Sequence, residues 1–111
     1  MKAIFISYNQ AYGREITELL EFNGQRGFTQ WRDISGRGSE NGEPHYGDHA
    51  WPTMNDALVT VVSDDKVAPI MKDLRKKDSD TPELGLRAYV FAIEESLKTY
   101  GRFSPDCGLN L

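Results

Sequence analysis

Two groups of residues in this 111-residue chain are of types that can do chemistry, and both lie in one irregular stretch, residues 35–55, SGRGSENGEPHYGDHAWPTMN. His45-Tyr46-Gly47-Asp48-His49 puts both histidines and a carboxylate within five residues. Imidazole and carboxylate can bind zinc, copper or nickel, and the symmetry of an oligomer can complete a coordination shell. A helix would bring i and i+4 ligands together, but this stretch holds Gly47 and lies between Pro44 and Pro52. Without a helix the same histidines are ordinary surface groups or protonation switches. The second group is Gly36-Arg37-Gly38. Glycine backbone can approach a phosphate closely and offer amides, and arginine supplies a planar cationic fork. The plainer reading is turn geometry and a solvated arginine. Trp51, before Pro52 and near Met54, either anchors the loop on the body of the protein or, with Tyr46, meets a partner. Adjacent Glu94 and Glu95 point to different sides of an extended chain and make no acid–base pair. Nothing resembles a Ser-His-Asp or Cys-His arrangement, so catalysis is not expected.

The elements that must carry these residues are few. Four glycines and two prolines between Ser35 and Asn55 are expected to exclude both ladder and helix, which makes the stretch a long loop of the kind that usually has a function. Upstream, Lys2–Tyr8 reads as a strand. Ile16, Leu19, Leu20 and either Phe22 or Asn23 recur with helical spacing over Tyr12–Asn23. Gly24 and Gly27 stop that helix and turn the chain into a second strand, Phe28–Ile34. After the loop, Ala57–Val62 is the strongest strand signal. Ser63, Asp64 and Asp65 start a second helix on Val67, Ile70, Met71 and Leu74, with Arg75, Lys76 and Lys77 in its last turn. Pro69 requires that this helix begin late. Residues 78–82 read as a polar connection, and Leu86–Ile93 as a fourth strand.

Composition bounds the answer. The length suits one domain, assigned to residues 1–96, with a tail at 97–111. With 13 basic and 17 acidic residues, net −4, a broad electrostatic grip on nucleic acid is not expected. No apolar run reaches the roughly 18 residues of a membrane span and no export signal is visible, so a cytoplasmic protein is expected. The lone Cys107 supports no disulfide framework.

The order β-α-β-loop-β-α-β is that of an α+β, ferredoxin-like fold with an antiparallel sheet and both helices on one face. The other face should then alternate apolar and polar residues if water covers it. It does not: Ala57, Val59 and Val61 oppose Leu58 and Val62, and Tyr89, Phe91 and Ile93 oppose Leu86, Ala88 and Val90. No remaining segment can form a second layer, so a second copy of the sheet is the expected cover and the protein is expected to be a homo-oligomer.

Several segments, in order and spacing, resemble the P-II signalling superfamily over residues 1–95. These are the Met-Lys-x-Ile start, Gly24-x-Arg-Gly-Phe-Thr29, the Gly36-Arg37-Gly38 step, the Ser-Asp-Asp helix start and the turn Thr81-Pro-Glu-Leu-Gly85. The resemblance implies a homotrimer whose long loop, the T-loop, touches a target protein such as a membrane transporter. It also implies adenine nucleotides in clefts between subunits, with Thr29, Gly36, Arg37, Gly38, Gly85 and Arg87 as contacts and Arg102 as a C-terminal partner. The chain departs from the family pattern where Leu86-Arg87-Ala88 stands in place of Asp-Gly-Lys, so a phosphate-reaching lysine is missing and only Arg87 offers a cation. The T-loop tyrosine that some members carry as a uridylylation target has no clear counterpart here, although Tyr46 sits in the loop. Two other readings remain: a metal-binding trimer of CutA type using His45 and His49, and, last, a dimeric ferredoxin-like enzyme with its cleft beside His45.

Overall fold

The structure is a computed structural model that describes residues 1–37, 44–45 and 54–97. Strand β1 (Lys2–Asn9) alternates strictly, sending Ile4, Ile6 and Tyr8 into the core and Ala3, Phe5 and Ser7 to the opposite face. A 3-10 turn at Gln10–Tyr12, whose Ala11 amide donates to Asn9 Oδ1 at the N-cap, leads into helix α1 (Gly13–Phe22). Ile16 and Leu20 are its buried residues. Phe22 is 85% exposed, so Asn23 rather than Phe22 continues the inward stripe; six residues from Ile16 carry a side chain well round the helix. The helix ends in a Schellman motif, with Gly24 at φ +76° and Gln25 N and Gly24 N donating to the carbonyls of Leu20 and Glu21.

Strand β2 spans Thr29–Ile34 and is followed by two very short strands, β3 (Gly36–Arg37) and β4 (Pro44–His45), which pair antiparallel as Gly36↔His45 and Arg37↔Pro44. The loop therefore does contain a ladder, against the sequence expectation. Pro44 is tolerated because a two-residue edge ladder asks little of its missing amide. Strand β5 runs Asn55–Val62, two residues earlier than its apolar core predicts, because Asn55 and Asp56 find partners opposite Asn9 and Tyr8 of β1.

Helix α2 is Asp64–Asp80, so it starts early and encloses Pro69 rather than starting after it. It also extends through Asp78, Ser79 and Asp80, beyond the expected connection, and leaves only Lys77 as a basic residue in the last turn. The Lys76–Asp80 pair at 3.0 Å supports that added turn. Ser63 holds the N-cap position without a capping side-chain bond; the acidic Asp64 and Asp65 supply the favourable charge instead. A 3-10 turn at Pro82–Leu84 leads to strand β6 (Arg87–Ala92).

The four long strands form one antiparallel sheet in the order β2-β5-β1-β6, with both helices contributing buried residues to a single core. This is the expected α+β ferredoxin-like arrangement. Leu58, Val62, Ile70, Leu74, Leu84 and Leu86 complete the core around Ile4 and Ile6. The buried Gln25 clamps the connection after α1 to β5, its Nε2 lying 2.7 Å from Thr60 Oγ1 and 3.0 Å from Val61 O. No described helix is long and apolar enough to cross a membrane.

Candidate functional site

Strand register fixes which residues share the face that the helices do not cover. One row across the sheet is Thr29, Val59, Phe5, Tyr89; the next is Trp31, Ala57, Ser7, Arg87. Thr29 and Arg87 thus lie on the same face but on opposite edge strands, separated by three strand spacings of roughly 4.8 Å each. A single chain does not bring the two halves of the expected nucleotide site together. Between them lies an aromatic strip, with Phe5 to Trp31 at 6.5 Å and Phe5 to Tyr89 at 6.4 Å between ring centroids. Trp31, Tyr89 and Phe91 are 48%, 53% and 56% exposed, a contiguous apolar surface of the kind that marks an interaction site.

The turn before β6 is tightly made. Leu84 N donates to Thr81 O at 3.0 Å and Gly85 N to Pro82 O at 3.4 Å, while Pro82 has no amide to offer. Gly85 takes the left-handed conformation at φ +62°, which suits glycine there, and the buried Leu84 and Leu86 anchor the turn on either side. Half-buried Arg87 donates from Nη1 to Leu86 O at 2.7 Å. Glu83 is exposed and accepts from Tyr12 Oη at 3.2 Å, which ties the turn to the start of α1. Partial burial first, and the Glu83 carboxylate second, push the Tyr12 hydroxyl above its ordinary pKa.

The loop leaves and re-enters at the same end of the sheet. There β2 bulges between Trp31 and Ile34, and Asp33 adopts φ +59°. Its amide donates to Asp56 Oδ1 at 3.0 Å. Gln10 Nε2 reaches both Asp33 Oδ1 (2.9 Å) and Asp56 Oδ1 (3.2 Å), and Gln10 N donates to Met54 O at 2.9 Å. Nearby, Gln30 Nε2 donates to Tyr8 Oη at 3.0 Å; burial raises the pKa of that phenol, and the hydrogen bond partly opposes the shift.

Of the residues singled out in the sequence, Thr29, Gly85 and Arg87 are placed with their surroundings. Gly36, Arg37 and His45 are placed as backbone in the β3–β4 ladder. Gly38, Tyr46, His49, Trp51 and Arg102 lie outside the described residues. Among the described residues no group of three His, Cys, Asp or Glu side chains could hold a metal ion. Sequence reasoning missed Trp31, Gln10, Asp33 and Asp56. The one signal open to it was polarity out of place, in Asn55-Asp56 heading the most apolar strand.

No protein-family model matches the chain, and no curated protein sequence does. Solved structures do. The nitrogen regulatory PII-like protein CPII from Thiomonas intermedia K12, bound to ADP, AMP and bicarbonate, superposes with a TM-score of 0.67 at 19% identity, over 80% of this chain and 81% of that one. Its apo form gives 0.61 at 18% identity, over 80% and 84%. A PII-like signalling protein from Thermus thermophilus gives 0.56 at 22% identity, over 80% and 81%.

Proposed function

We propose that this chain, which shares the fold of P-II-like proteins, is a divergent regulatory protein of that kind rather than an enzyme. In this reading it acts in the cytoplasm as a homotrimer, binds an adenine nucleotide between subunits and controls a target protein, a membrane transporter among the candidates, through the 35–55 loop. One observation carries the reading: Thr29 and Arg87 stand on opposite edges of one sheet, with an exposed aromatic face between them. Packing those faces together would hide Trp31, Tyr89 and Phe91 and set one subunit's β2 edge against another's β6 edge. A cleft built that way would unite Thr29 and the loop base with Gly85 and Arg87. The ADP, AMP and bicarbonate bound to CPII support an adenine nucleotide, with bicarbonate as a second ligand to try. Regulation then requires that the ligand contact one state of the loop better than another.

A thermal-shift series with ADP, AMP, ATP, bicarbonate and zinc tests this. A nucleotide at 100 times its Kd should add about 2.7 kcal/mol of stability. The shift should vanish in Arg37→Ala or Arg87→Ala. Silence from every nucleotide, with a zinc response lost in His45→Ala, would favour the metal-binding trimer instead.

A further inference from the structure

We infer that Gln10, in the 3-10 turn after β1, is a positioning residue which, with Asp33 and Asp56, clamps the chain where it leaves β2 at Asp33 and where it enters β5 at Met54–Asp56. Three observations converge on Gln10. Its side chain holds the outgoing end by donating to Asp33, and its backbone holds the returning end by donating to Met54 O. The pair Ile34↔Asn55 is cut off from the rest of the β2–β5 ladder by the bulge, so the ladder alone does not hold the exit. Asp33 sits at φ +59°, a conformation that L residues adopt at a cost and keep only where the surroundings over-determine it.

Asp56 supplies that determination. It is 4% exposed, and a carboxylate is buried only where donors meet it. Two donors do, the Asp33 amide and Gln10 Nε2, and both reach the same oxygen. An ordinary bulge needs no buried carboxylate. This one has a carboxylate from the neighbouring strand locking the left-handed residue and a side-chain amide from the 3-10 turn after β1 locking the carboxylate. Gly36 and Arg37 follow Ile34 within three residues, so the clamp also sets where β3 begins. The inference concerns the loop base alone and stands whether or not a nucleotide binds.

Hydrogen exchange resolved by residue tests it, with Gln10→Met, which keeps the size and the backbone amide but loses the two donors, and with Asp56→Ala and Asp56→Asn. Amides of residues 33–37 and 54–56 should exchange about tenfold faster in Gln10→Met and Asp56→Ala, while those of Ile4, Ile6 and α1 change less than about twofold. Asp56→Asn retains an acceptor oxygen and should restore protection to within about threefold of the native protein. A residue that serves packing alone would loosen the sheet uniformly and would not be rescued by asparagine. Native-like exchange at residues 33–37 in Gln10→Met, uniform loosening, or failure of asparagine to rescue would each overturn the inference. Should Asp56→Ala fail to fold, Gln10→Met decides the matter, since its side chain is only half-buried.

Discussion

The two faces of the sheet are written in the same apolar vocabulary and end in opposite circumstances. On the helix side, Ile4, Ile6 and Leu58 are fully buried. On the other, Trp31, Tyr89 and Phe91 remain about half exposed, although they are larger and bury more when covered. The difference lies in cover: α1 and α2 close one side, and no described element closes the other. On the reading proposed above, other copies of the chain supply the second cover.

Substitutions on the two faces should separate them further. The largest effect should come from Ile6→Ala on the covered face, a loss of about 2–5 kcal/mol in chemical denaturation, because the side chain is fully buried in the core to which both helices contribute. Tyr89→Ala on the open face separates two accounts. A lone chain would lose well under about 1 kcal/mol there, whereas a face buried in an assembly should lose about 2 kcal/mol and show a melting temperature that depends on protein concentration. At the end of the sheet where the loop departs, Asp33→Val should cost about 1–2 kcal/mol, since a β-branched residue tolerates positive φ poorly, while Asp33→Asn should be near neutral.

The smallest effect belongs to a group outside both faces. Asp64 accepts a hydrogen bond from the Met1 ammonium, and that bond first, and the ammonium's charge second, hold its carboxyl below the ordinary value of 3.8. The stability it contributes is present above about pH 3.8 and is lost as pH falls through the lower folded value. Asp64→Asn should therefore lower the melting temperature slightly above about pH 3.8, neutrality included, and converge with the native protein in acid, which leaves the acid limb shallower.

The fold was readable because its signals are local and redundant. Lys2–Asn9 alternates, Gly24 stops α1 where the Schellman geometry needs it, and the apolar run in β5 has no other use. The errors came where tertiary partners outvote propensity. Pro69 is carried inside α2 because Ile70 and Leu74 of that helix are buried in the core, and Asp78–Asp80 join it through Lys76. The β3–β4 ladder forms among glycines and a proline because its two residue pairs need little from propensity.

The site was less legible than the fold. Arg87 and Thr29 could be nominated from their order in the chain, but their separation across the sheet depends on strand order, which no local pattern carries. Gln10, Asp33 and Asp56 are far apart in sequence and polar in ordinary ways. Only the bulge makes them neighbours.

The central claim is that copies of this chain cover the open face. Sedimentation velocity of the native protein at micromolar concentration, beside Tyr89→Asp, measures that directly. Three copies of a 12.6 kDa chain, about 38 kDa, are predicted for the native protein, with the variant falling to the mass of one chain. A native protein that sediments at 12.6 kDa, or an assembly untouched by Tyr89→Asp, would contradict it.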